Sequence, residues 1–132
     1  MKPIVFLTVD DVLRFYEKAI NLYGGMYGLR DLSLLESAVA HPQMISIYES
    51  DDIFEIAATY FVHIIKNHPF LDGNKRTGVI ATISFLQEND YSIDYEFESL
   101  YDLAISVADS SLKKADVVKF LKQSKKQKKL NL

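Results

Sequence analysis

The chain has 132 residues, 48% of them apolar, and a formal net charge of −3. That length supports one domain burying about two-thirds of its unfolded surface, and the slight acidity gives no general electrostatic reason to bind nucleic acid directly. Without a cysteine there is no disulfide or thiolate chemistry, and without a long apolar run there is neither signal peptide nor membrane span, so a cytoplasmic protein with no membrane partner is expected.

In chain order, Thr8-Val9-Asp10-Asp11 reads as a helix start, with Thr8 as N-cap ahead of an acidic first turn. Val12, Leu13, Tyr16, Ala19, Ile20 and Tyr23 recur at helical spacing until Gly24-Gly25 stops the run. A loop through Tyr27 and Arg30 leads to Asp31, the cap of a short helix with Leu34, Leu35, Ala38 and Val39. His41-Pro42 is expected to end that helix, and residues 43–50 to form an irregular connection over the active-site face. Residues 51–67 are apolar around most of a helical circumference, the mark of a central helix. A second apolar helix is expected over 75–89. Residues 91–97 alternate weakly, as a short extended piece would, and 98–108 and 113–123 read as two amphipathic helices. The expectation is an all-α domain over 1–123, with five to seven helices and at most a short hairpin. Residues 124–132 form a basic tail, within a stretch holding five lysines among the eight residues 122–129. It reads as a frayed, solvated end.

The chemistry is concentrated between the two apolar helices, in His68-Pro69-Phe70-Leu71-Asp72-Gly73-Asn74-Lys75-Arg76-Thr77-Gly78. Pro69 cannot continue a helix and biases His68 away from the α region. Gly73 permits an unusual backbone angle, and Asn74 is a strong N-cap type. The result is a tight loop entering a helix N-terminus, where unpaired amides and the dipole favour an anion. Lys75 and Arg76 fall in the first turn, where each cation opposes the dipole by roughly 0.3–1 kcal/mol. Folding alone would favour acidic residues there, whereas a bound phosphate would reverse the sign. His68 adds a proton acceptor and Asp72 a hard oxygen ligand for magnesium. Lys66 reads as a phosphate contact or a solvated surface lysine, Thr77 as a cap or a phosphate contact, and Phe70 as the loop's apolar anchor. Together these form a phosphoryl- or nucleotidyl-transfer constellation. His63 lies about 140° round the helix from His68, so the two do not share a face for zinc. His63 reads as a satisfied histidine and His41 as a helix-terminal one.

These residues resemble the Fic/Doc family pattern H-P-F-x-[DE]-G-N-x-R, which His68, Pro69, Phe70, Asp72, Gly73, Asn74 and Arg76 match as they stand. Fic adenylyltransferases usually carry Gly where this chain has Lys75, and a second Arg where it has Val79. The Asn-Lys-Arg-Thr version is similar to the Doc branch, the death-on-curing toxins of type II toxin–antitoxin modules. Tyr23-Gly24-Gly25, Gly28-Leu29-Arg30-Asp31 and Leu34-Leu35-Glu36-Ser37-Ala38 resemble the N-terminal region of the same proteins.

The resemblance implies a helical bundle around a central helix–loop–helix, with ATP and Mg2+ as cofactors. It implies a kinase that phosphorylates a threonine of elongation factor Tu and so stops translation, neutralised by a cognate antitoxin. His68 would be the base and Asp72 the magnesium ligand. Gly73 and Asn74 would hold phosphates, and Lys75 and Arg76 would neutralise transition-state charge. Two alternatives stay open: a Fic-type adenylyltransferase, in which a protein hydroxyl attacks the α-phosphorus, and a catalytically weak nucleotide- or partner-binding member. Ser84 to Asn89 fits the loose string of an inhibitory Fic helix, but lies about 15 Å along the helix from Lys75 and reads as coincidence. The sequence leaves the oligomeric state open.

Overall fold

A computed structural model describes residues 2–125. Among them are six helices, α1 (Val9–Tyr23), α2 (Leu32–Tyr48), α3 (Ile53–Asn67), α4 (Asn74–Glu88), α5 (Phe97–Ala108) and α6 (Lys114–Gln123), and no strand. The all-α expectation holds. The extended piece near residue 93 is reduced to one bridge between Ile93 and Lys125.

α3 is the centre. Its Ile56, Ala57, Ala58, Tyr60, Phe61 and Ile64 are fully buried, because α2, α4, α5 and α6 all pack against it. α4 runs back beside α3 and supplies Val79, Ala81 and Phe85 to the same core, with α1 and α5 on its outer side. Gly78 allows this close approach, since a Cβ there would lie 2.9 Å from Ile65 Cγ1. The two helices that flank the motif are therefore the most deeply packed pair, and the loop between them is held at both ends.

Local signals set most of the boundaries. Thr8 and Asp11 form a reciprocal capping box at α1, and Gly24 (φ 79°) ends it. Asp31 caps α2 by accepting from the Leu34 amide at 3.2 Å. Asp52 caps α3 by accepting from Phe54 N at 2.9 Å, and receives Lys122 of α6 at 2.8 Å. The N-terminal segment is fastened where the Leu7 amide donates to the buried Tyr60 hydroxyl at 2.9 Å. Asn89 grips Val5 through both main-chain groups.

Three expectations are corrected. His41-Pro42 does not end α2, which runs to Tyr48 with Pro42 inside it. Pro42 has no amide to offer the Ala38 carbonyl, a fault that costs about 3 kcal/mol in an isolated helix. Here Pro42 lies in the buried stripe with Leu35, Ala38 and Val39, so packing against α3 carries the helix through. His41 is consequently a mid-helix residue, its ring stacked on His63 at 4.1 Å. The first two residues of the tail are paired: Ser124 O accepts from the Asp94 amide, and Lys125 pairs with Ile93. Residues 126–132, most of the basic tail, lie outside the described residues.

Candidate active site

α3 ends at Asn67, and His68 follows in the left-handed region (φ 53°, ψ 54°). The proline after it does exclude the right-handed helix, but the chain escapes to αL and not to an extended conformation. This turns the chain sharply and leaves the imidazole exposed, with neither ring nitrogen bonded among the described residues.

The carbonyls at this helix end are capped from a distance. Arg30 donates from Nε to His68 O at 2.7 Å and from Nη2 to Asn67 O at 2.9 Å. A cation at a helix C-terminus also suits the dipole. The Arg30 and Asp31 amides both donate to Pro69 O, at 2.7 and 3.0 Å, and Leu71 N donates to Gly28 O at 2.9 Å. Residues 28–31 are thus zipped along residues 67–71.

Phe70 is fully buried, its ring stacked on Tyr16 at 3.8 Å with only 5° between planes. The Tyr16 hydroxyl accepts from Gly28 N at 2.6 Å, so one α1 side chain supports both loops.

Asn74 differs from the expectation. The N-cap of α4 is Gly73 (φ 79°), and Asn74 is the first residue of the helix. Its buried side chain accepts from Phe70 N and donates to Phe70 O, both at 3.0 Å, closing the loop on itself. The first main-chain bond of α4 is Thr77 N to Gly73 O. The amides of Asn74, Lys75 and Arg76 therefore have no acceptor among the described residues.

A shallow open cleft lies over these amides, lined by His68, Asp72, Gly73, Asn74, Lys75, Arg76 and Tyr101. Asp72 Oδ1 accepts from Gly73 N at 2.8 Å and Oδ2 from Met26 N at 3.3 Å. Those two amides, and then the charges of Lys75 and Arg76, hold its carboxyl below the usual carboxylate range. It is an ionised carboxylate whose approach to the chain requires Gly25, where a Cβ would lie 2.7 Å from Oδ2. No cluster of three His, Cys, Asp or Glu side chains able to hold a metal exists among the described residues. A single ionised carboxylate such as Asp72 is a donor that magnesium could take, with phosphate oxygens and water completing its shell.

Five of the expected site residues, His68, Asp72, Gly73, Lys75 and Arg76, share this cleft, and Asn74 adds its main-chain amide. Two do not line it. Lys66 hydrogen-bonds to Ser110 Oγ beyond α5. Thr77 is fully buried, its hydroxyl without a partner among the described residues. In both cases the helix carries the side chain away from the cleft.

Sequence reasoning passed over Tyr16, Tyr23, Arg30 and Tyr101. The Tyr-Gly-Gly and Gly-Leu-Arg-Asp strings carried the first signal of the α1–α2 loop. Tyr16 looked like an ordinary core position of α1, and nothing local marked Tyr101.

The comparisons with known proteins agree with this geometry. Residues 6–86 match the model of the Fic/DOC family. "Protein kinase doc" of Escherichia phage P1 is 28% identical over 118 residues, spanning 89% of this chain and 93% of that protein. "Toxin Doc" of Mycolicibacterium smegmatis is 35% identical over 108 residues, spanning 78% and 80%. With the family match covering more than half the sequence, and one of these relatives 35% identical over 78% of the chain, this chain belongs to the Fic/DOC family, among its Doc members.

Proposed function

We propose that this protein is a Doc-type toxin that phosphorylates a protein hydroxyl with ATP. One observation carries the reading. An exposed imidazole stands in the same cleft as three helix-start amides and two cations, the imidazole and the amides all without a hydrogen-bond partner among the described residues. Such an arrangement takes an anion and a proton at adjacent places, as phosphoryl transfer requires. The relative named "Protein kinase doc" supports the choice of phosphate over AMP as the transferred group. Lys75 supports it too, since it puts a side chain and a charge where adenylyltransferases of the family have glycine.

In this reading the acceptor hydroxyl loses its proton to His68 as its oxygen bonds to the γ-phosphorus. The bond from that phosphorus to the bridging oxygen breaks, and ADP leaves. The amides of Asn74, Lys75 and Arg76 hold phosphate oxygens, and the two side chains offset the spreading negative charge. Asp72 would hold magnesium, which when bound neutralises the phosphates. The acceptor is a translation protein, for which a threonine of elongation factor Tu is the reading, and a cognate antitoxin restrains the activity in trans.

The test is His68→Ala, assayed for growth arrest on induction and for phosphorylation of purified elongation factor Tu. Among the described residues the His68 ring makes no hydrogen bond, so the variant is expected to fold as the wild type does. The expected result is transfer reduced about 100-fold or more, the scale of a lost general base, with toxicity gone. A fully toxic His68→Ala protein would contradict the proposal.

A further inference from the structure

Arg76 sits in the first turn of α4, where the helix dipole repels a cation. It makes no ion pair or hydrogen bond through its side chain among the described residues. What holds it is aromatic. Its guanidinium carbon lies 4.6 Å from the centroid of the Tyr23 ring and 4.6 Å from that of Tyr101. Tyr23 is the last residue of α1, and its ring is stacked in turn on Phe97 of α5 at 5.4 Å. Tyr101 lies one turn further along α5 and lines the cleft. Two helices thus close on one cation carried by a third.

The choice of partner matters chemically. A carboxylate would fix a guanidinium equally well, but would occupy its N–H donors and cancel its charge. Aromatic faces attract the cation through their quadrupole and accept none of those donors. The side chain is immobilised while its full charge and its hydrogen-bonding edge stay available to a ligand.

We propose that Tyr23 and Tyr101 are positioning residues for Arg76, holding its guanidinium in the cleft with the N–H groups free for the phosphates of a nucleotide. This rests on the phosphotransfer reading. Tyr101 gives the cleaner test, because Tyr23 also braces Phe97. The contact needs the ring and not the hydroxyl, so Tyr101→Phe preserves it and Tyr101→Leu removes one side.

Two measurements separate the parts. In NMR spectra of the wild-type protein, ring currents shift the Arg76 Hδ and Hε signals upfield, with Arg76→Lys assigning them. Tyr101→Leu moves these signals toward free-arginine positions, and Tyr101→Phe leaves them in place. Titration with ATP and magnesium then shows binding weakened about tenfold in Tyr101→Leu, the scale of a partly desolvated cation–π contact, and restored in Tyr101→Phe. A wild-type protein without the upfield shift overturns the proposal. So does a Tyr101→Leu protein that binds ATP as the wild type does. If the wild-type protein shows the shift yet binds no ATP, the nucleotide reading fails, and the assigned role of the clamp falls with it.

Discussion

Asn74 closes the loop between α3 and α4 with one planar amide, accepting from the Phe70 amide and donating to the Phe70 carbonyl. Both partners are buried, so truncation strands two main-chain groups where water does not reach. Each such group costs about 1–3 kcal/mol. Asn74→Ala is therefore expected to lower the unfolding free energy by about 3 kcal/mol in urea titrations. A change below about 1 kcal/mol would show that the loop is held elsewhere. The residue type was legible in the sequence, but its partner was not. Asn before a helix reads as an N-cap, and only the left-handed Gly73 shifts the cap back by one residue and frees the Asn74 side chain to reach Phe70.

Among the elements, α2 and α3 share a feature that the sequence concealed. Counting from His68 correctly separated His63 from the motif, yet gave no hint that His63 meets His41. That contact exists because α2 continues through Pro42, bringing the two imidazoles to 4.1 Å with 18° between planes. A proline rule is local, whereas the packing that overrides it is tertiary, and so α2 was expected to stop early. Burial first, then His41 and Lys114, push the His63 imidazole down to about 4. Its folded value lies below the ordinary one near 6.5. Between those values the unfolded chain binds the extra proton and the native one does not, so stability falls as pH drops through this window. The carboxyls of Asp11, Asp31, Asp52, Asp72 and Asp109 are all held below their ordinary range, so the stability they contribute is present throughout this window and is lost only at lower pH. The urea midpoint should therefore be lower at pH 5 than at pH 7, and His63→Leu should flatten that difference. Equal differences in the two proteins would remove His63 from the account.

At the scale of the whole molecule, the fold exists to present one loop. α3 and α4, the helices with the most buried residues, were readable as a buried pair, and the motif between them stood out through charges that oppose the dipole. What sequence could not supply was the second wall of the site. The loop from Gly24 to Asp31 meets the motif across some forty residues, through Arg30 on Asn67 and His68, Gly28 on Leu71, and Met26 on Asp72. Such pairings join segments far apart in the chain, and no local pattern encodes them. Tyr101 arrives from still further along the chain. α2 also leaves Met44, Ile47 and Tyr48 more than half exposed at its far end.

The central claim concerns which phosphate of ATP meets the base at His68. It is tested most directly by incubating the protein with purified elongation factor Tu and ATP labelled at the γ-phosphate in one reaction and the α-phosphate in another. The account predicts label on the elongation factor from the γ position alone, and none from either position with His68→Ala. Transfer of the α label would contradict it, making the protein an adenylyltransferase in spite of Lys75.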